Sequence, residues 1–187
     1  LRLAARGPEE VLKMTVSRRA WVEREFTLGL PAWMFPNVIE RLRGTPARVA
    51  ELARPLAPGV LARRDGERWS IQEHVGHLYD LGWLDLARVE DFTAGRGVLT
   101  AADMTNRKTR EADHNSRTFA DVFAAFRAER ADFVRRLEAF GEEMVARTAL
   151  HPRIKQPMSP TDFAYFVAEH DDHHLTAISE LIRKFAS

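Results

Sequence analysis

Three segments of this sequence begin with the same local pattern. Ser70 is followed three residues later by Glu73, Thr118 by Asp121, and Ser159 by Pro160 and then Asp162. A hydroxyl just before a helix can accept a hydrogen bond from a free N–H of the first turn, and an acidic residue three positions on can bond back. Proline suits the first helical position because its missing N–H would have no partner there. Apolar residues at helical spacing follow each pattern, as in Phe119, Val122, Phe126, Phe133 and Leu137. A further helix is predicted over about 36–54, with Ile39, Leu42, Val49 and Leu52 on one stripe. Gly44-Thr45-Pro46 interrupts it. Either Thr45 caps a restart, or Pro46 kinks a longer helix. No strand alternation and no internal repeat is evident.

Four helices of similar length predict an all-α fold, a four-helix bundle. The second and fourth helices are then expected to point the same way. Two connectors are long, 95–117 and 141–159, and such loops are commonly functional or mobile. An aromatic lead-in, "WVEREFTLGLPAWMF" at 21–35, precedes the first helix. It can cover the bundle, roof a pocket or join a homodimer. Trp69, Trp83, Phe92 and Phe123 are expected in the core.

Charge is balanced, with 28 Lys and Arg against 27 Asp and Glu. No basic helix or stacking platform is visible, so a nucleic-acid partner is not expected. No segment reaches the roughly 20 apolar residues that span a membrane, and "LRLAARGPEEVLK" has no apolar signal core. A cytoplasmic location is expected. Met14 is expected as the natural start, with 1–13 an extension upstream of it and 14–187 one domain. The absence of cysteine removes disulfides, thiolate metal sites and a cysteine nucleophile. Histidine and carboxylates are left for any metal.

Seven histidines are present, and three of them fall in "AEHDDHHLTAI" at 168–178. His170 and His174 are four apart and share one helix face. Two neutral imidazoles there can bind one Zn, Ni, Fe or Mn ion, or can simply form a half-buried polar face. His173 lies about 100° around the helix from His174, toward a neighbouring helix or solvent. A tight site needs a third ligand. His77 lies roughly 11 Å into the second helix, against roughly 16 and 22 Å for His170 and His174 in the fourth. A stagger of about one turn would bring all three to one level. His74, just after the cap, is expected to be solvated or to stand behind a ligand.

The stretch "WSIQEHVGHL" resembles the W-S-x-x-E-x-x-x-H-L signature of the DinB-like (YfiT-like) superfamily of metal-dependent hydrolases and thiol S-transferases. "HDDHHLTAI" is similar to that family's H-x-x-x-H on the last helix. The resemblance covers roughly 20–185. It implies a four-helix bundle with long connections and a three-histidine divalent metal site at His77, His170 and His174. "RLRGTPAR" and "HPRIKQPM" look like markers of a subgroup.

Such a site implies a cofactor of one divalent metal ion, with Zn or Ni favoured over Mn or Fe. Three histidine ligands leave positions open, which marks a catalytic rather than a structural metal. The reaction implied by the resemblance is S-transfer with a low-molecular-weight thiol co-substrate, such as bacillithiol or mycothiol, or hydrolysis by activated water. The rival reading is a metal-containing bundle that binds a small molecule or serves a stress response without turnover. Asp171 is a candidate to orient a ligand imidazole, although it and Asp172 are more simply read as solvent-facing or paired with arginine. Tyr79 and Asp80 can face the cavity. On the long connectors, His114, Asn115, Asn106, His151 and Arg153 are candidate substrate contacts, with His151 and Arg153 suited to an anion.

Overall fold

The predicted caps form. The structure, a computed structural model, describes residues 16–185; the expected extension 1–13 and Met14 lie outside the described residues. Ser70 and Glu73 make a full capping box at the start of α4 (Ile71–Asp80). Ser159 and Asp162 do the same at α9 (Pro160–Phe185), where Asp162 N donates to Ser159 Oγ at 3.1 Å and Ser159 N to Asp162 Oδ2 at 3.0 Å. At α7 (Phe119–Glu138) the Thr118 hydroxyl accepts from Asp121 N and donates to its carboxylate.

Two expected helices are each broken in two. The first is α1 (Phe35–Arg43) followed by α2 (Thr45–Ala53), with the junction at Gly44 and Pro46 in the first turn of α2. Thr45 does not cap the restart. Its hydroxyl donates to Asp171 instead, at 2.7 Å. The second is α4 followed by α5 (Gly82–Thr93), with the break at Leu81. Short helices α3 (Pro58–Leu61), α6 (Arg107–Glu111) and α8 (Glu142–Val145) lie in the connectors. A minimal antiparallel pair, β1 (Ala149–Leu150) and β2 (Pro157–Met158), pins the last connector.

The α1–α2 unit and the α4–α5 unit each pack on both α7 and α9. The side-chain partners fix the directions. His74 meets His174, His77 neighbours His170, and Phe92 reaches back to Phe163. The second helical unit is therefore antiparallel to α9, which corrects the expectation that they run the same way. Arg41 meets Glu169, and Arg48 meets Asp172, so the first unit runs parallel to α9. Gln72 binds the Arg117 carbonyl, and Glu90 pairs with Arg136, so the second unit runs parallel to α7. The order is up, down, down, up.

The apolar core falls into two clusters. One gathers Phe35, Ile39, Leu42, Phe92, Phe133 and Phe163; the other gathers Val49, Ile71, Val75, Phe126, Leu175 and Ile178. Between them, in sequence on every unit, lies a polar layer: Thr45, Asp85, Arg130 and Asp171 are all buried. Arg130 and Asp171 form an ion pair, with Nη2 to Oδ1 at 3.0 Å and a closer Nη1–Oδ2 contact.

The aromatic lead-in divides. Phe26 and Phe35 are core, and Trp21 is half-buried, but Trp33 is 72% exposed. Trp83, expected in the core, is 47% exposed. The break at Leu81 means that the apolar face of α5 does not continue that of α4. Phe92 is buried as expected, and Trp69 and Phe123 are half-buried.

Candidate metal centre

α4 supplies His77, and α9 supplies His170 and His174 one turn apart. Side-chain nitrogens from the three residues lie within 4.8 Å of one another. Nε2 of His170 and Nε2 of His174 are 3.1 Å apart. Two nitrogens bound at about 2.0–2.1 Å to one ion stand about 3.3–3.4 Å apart in a tetrahedral arrangement and about 2.9–3.0 Å apart at a right angle. The observed spacing falls between these values, and the donor set fits a divalent ion.

The hydrogen-bond partners fix which nitrogen is free. His77 Nδ1 is 3.0 Å from Thr109 Oγ1, which leaves Nε2 for the centre. His174 Nδ1 is 2.8 Å from His74 Nδ1. With His174 donating there, its Nε2 also presents a lone pair. His74 thus stands behind His174. Trp69 closes this side, with its ring 4.7 Å from that of His77 and 6.2 Å from that of His174. Trp21 packs edge-on against His170 at 4.8 Å.

All three imidazoles are neutral at physiological pH. Burial pushes His77 down to about 4 and takes His170 and His174 well below their ordinary value, with the neighbouring histidines adding to the shift in that pair. His74 is pushed down to about 3 by burial, then by His77. A neutral imidazole is the form that ligates a metal.

A cavity of about 350 Å³ opens beside the triad, with His77 and His170 in its wall. The connectors reach it. Asp103 and Asn106 come from one, His151 and Arg153 from the other, and Trp21 from the lead-in. Leu81, Leu84 and Phe166 make much of its surface apolar.

Other expected contacts lie elsewhere. Asp171 lines the cavity but touches no imidazole; it is fully buried, held by Arg130 and Thr45. It is therefore paired with arginine, though not in solvent. Asp172 binds Arg41 and Arg48 on the outer face of α9. His173 bonds Arg18 and packs against Trp21, and its ring lies edge-on to that of His174 at 5.4 Å without joining the three converging nitrogens. His114 is buried behind α4, where its Nε2 meets Asp80 Oδ2 at 2.8 Å, so neither residue faces the cavity. Gly76 permits this approach: a Cβ there would lie 2.3 Å from the His114 ring. Asn115 accepts from Ser70 Oγ at 2.8 Å, bracing the cap, and Tyr79 packs with the apolar cluster that holds Val75. These residues secure α4 rather than line the cavity.

The sequence reading missed Thr109, Arg88, Arg130, Asp85 and Glu129. Burial pushes Asp85 up to about 7 and Glu129 up to about 8, with Asp85 reinforcing the second shift. Both Glu129 oxygens are buried without a hydrogen-bond partner among the described residues, in keeping with a protonated acid. Nothing in their spacing separates these residues from ordinary surface residues. The fold alone brings them inside.

Two solved structures share the architecture. YfiT from Bacillus subtilis, a probable metal-dependent hydrolase with an unusual four-helix bundle topology, superposes with a TM-score of 0.73 at 18% identity, covering 88% of this chain and 94% of its own. A mycothiol-dependent maleylpyruvate isomerase superposes with a TM-score of 0.63 at 9% identity, covering 81% of this chain and 62% of that one. At such identities the likeness is one of fold. No curated protein sequence matches the chain. Residues 41–178, well over half of the sequence, match the family model of the DinB superfamily, and on that match the chain belongs to the DinB superfamily.

Proposed function

We propose that His77, His170 and His174 hold one divalent metal ion, Zn or Ni in preference to Mn or Fe. On this reading the chain is a metal-dependent enzyme that acts on a small molecule in the adjoining cavity. The observation that carries the proposal is the convergence of three buried, neutral imidazoles at the wall of a 350 Å³ cavity. When bound, the ion would supply Lewis acidity, lowering the pKa of a coordinated thiol or water so that it can attack an electrophile at neutral pH.

The protein's own residues set up that chemistry. Thr109 and His74 hold the His77 and His174 rings in the tautomer that offers a lone pair. Trp21 and Trp69 shield the nitrogens from bulk water. The chain has no cysteine, so a thiolate would have to arrive with a co-substrate. S-transfer from a low-molecular-weight thiol is the favoured reaction, with hydrolysis second. That order rests on the family resemblance and on the mycothiol dependence of one structural relative.

The test is metal analysis of the untagged chain, followed by turnover with glutathione, bacillithiol and mycothiol against a panel of electrophiles. One equivalent of metal and thiol-dependent turnover, both lost in His174→Ala, are expected. Stoichiometric metal without turnover of any thiol or ester would instead favour a non-catalytic binding protein. Full activity of His174→Ala would overturn the metal-centred reading.

A further inference from the structure

Arg88 is a charged side chain held inside the protein without an ion pair among the described residues: Asp85 and Asp91 lie near enough to act on its charge, but Asp91 gives its oxygens to Arg96 and the Thr100 N–H. It is 3% exposed and lines the cavity. Its Nε donates to the Thr100 carbonyl at 3.0 Å, and its guanidinium forms no ion pair among the described residues. Arginine does not surrender its proton, so the charge persists. A buried, unpaired guanidinium is costly unless an anion completes it. Arg130, another buried arginine in the cavity wall, already has Asp171.

Two more donors face the same cavity. His151 is 2% exposed. Its Nδ1 accepts from the backbone N–H of Arg153 at 3.2 Å and of Ile154 at 3.3 Å. Those bonds place the ring proton on Nε2, which is buried and has no partner among the described residues. Arg153 likewise has a buried Nη2 without a partner and no carboxylate beside it. Burial, then Arg88 and Arg153, pushes His151 down to about 3, so it donates as a neutral ring.

The acids nearby do not cancel this charge. Asp103 spends its oxygens on Thr105 and Arg107 in its own turn. Asp85 is drawn toward its neutral form by burial.

From the unpaired Arg88 and the orphan donors of His151 and Arg153 we infer that the cavity binds the carboxylate of a small acid at the end away from the His77–His170–His174 triad. The inference rests on the proposed function and deepens it by naming the substrate class. Two guanidinium groups and one N–H suit a planar oxyanion. His151 packs on Phe166, which lies one turn from His170, and Arg88 lies eleven residues past His77. One turn of α9 is about 5.4 Å, so the carboxylate and the reacting group must be several bonds apart. Leu81, Leu84 and Phe166 would take the apolar stretch between them.

The probe is 4-phenylbutyrate, with its neutral amide as the uncharged twin and inorganic phosphate as a second oxyanion. Calorimetric titrations are run on the full chain, metal-loaded and chelator-treated. The acid is expected to bind at least about tenfold more tightly than the amide in both preparations. Arg88→Met should abolish that preference and keep wild-type metal content. Arg153→Met, half-buried on a connector outside the four main helices, should reduce the preference about threefold or more, and stands in should Arg88→Met fail to fold. Phosphate that displaces the acid at equal affinity would place a free phosphate, rather than a carboxylate, at the site and would overturn the assignment. So would equal binding of acid and amide, or a preference that vanishes with the metal. A chain that holds no metal but keeps the preference would sink the proposed function and leave this inference standing.

Discussion

Replacing Asp171 by alanine tests the polar layer directly. Asp171 is fully buried and accepts from both terminal nitrogens of Arg130, itself only 2% exposed, and from the Thr45 hydroxyl. Removal leaves the Arg130 charge inside the bundle with no carboxylate in contact. Breaking a buried pair from one side costs about 3–5 kcal/mol. The Thr45 hydroxyl adds little, because the Arg41 carbonyl stays within reach at 3.4 Å. For a chain of this size each kcal/mol lowers the melting temperature by roughly 2–4 °C, so a drop of about 6–20 °C is expected. Urea unfolding followed by far-UV circular dichroism measures the loss, with the m-value checking that two-state behaviour survives. The double variant Arg130→Met/Asp171→Leu removes both charges and should recover most of the stability, since apolar replacement of a buried pair is often neutral or favourable. If Asp171→Ala lies within about 1 kcal/mol of the parent, or if the double variant is worse than the single, the pair does not hold the layer as described.

Three further outcomes follow from the same geometry. Thr109→Val should weaken metal binding about 10–100-fold, measured by competition with a chromophoric chelator, while leaving the melting temperature nearly unchanged, because only the partner of the His77 ring is lost. The metal-free chain should be most stable near neutrality. His74, His77, His151 and His173 have an ordinary pKa of 6.5 and folded values of about 3, 4, 3 and 4, so the unfolded chain takes up protons that the fold refuses, and stability falls as pH drops from about 6.5. Asp85 and Glu129 act in the opposite sense: raised from 3.8 and 4.5 to about 7 and 8, they favour the fold at low pH, and that stability is lost as pH rises from about 4 up to those values; they are fewer than the histidines that oppose them. A melting temperature that is flat across the whole range would contradict both assignments. Phe26→Ala should cost about 3–5 kcal/mol and Trp33→Ala within about 0.5 kcal/mol, since one is core and the other 72% exposed; comparable losses in thermal melts would show that the lead-in is packed differently.

Local signals in this sequence were dependable, and long-range ones were not. Ser70, Thr118 and Ser159 mark helix starts because a cap involves only three or four consecutive residues. The His170–His174 pair is legible for the same reason, as it needs only helical spacing. Helix direction was misread because four amphipathic stripes pack in several orders, and stripes carry no direction. The length of the 95–117 connector held the missing clue, since parallel neighbours need a long return. Thr109 behind His77 was invisible, because the five-residue α6 is too short to show a periodicity. The Arg130–Asp171 pair was hidden by a rule that usually holds, that charged residues stay outside. Arg88 looked like one more surface arginine. The break at Leu81 has no proline to announce it, and it took Trp83 out of the expected core.

The up, down, down, up order has a consequence for how the cavity acquires its wall. Because the second helical unit and α7 run the same way, the chain leaving Thr93 must travel the length of the bundle before Phe119 can start. α7, at 20 residues, is about 30 Å long. The return path of about 25 residues could reach roughly 80–90 Å if fully extended. More than half of it is slack, and the slack is what folds over the open side, carrying Asp103 and Asn106 to the cavity and Thr109 to His77. A hairpin between antiparallel helices would have had no such excess chain to lay there. Lengthening or shortening this return path around 101–106 therefore reshapes the chamber while the four helices and their histidines keep their places, so the wall of the cavity is free to change independently of the part that holds the triad.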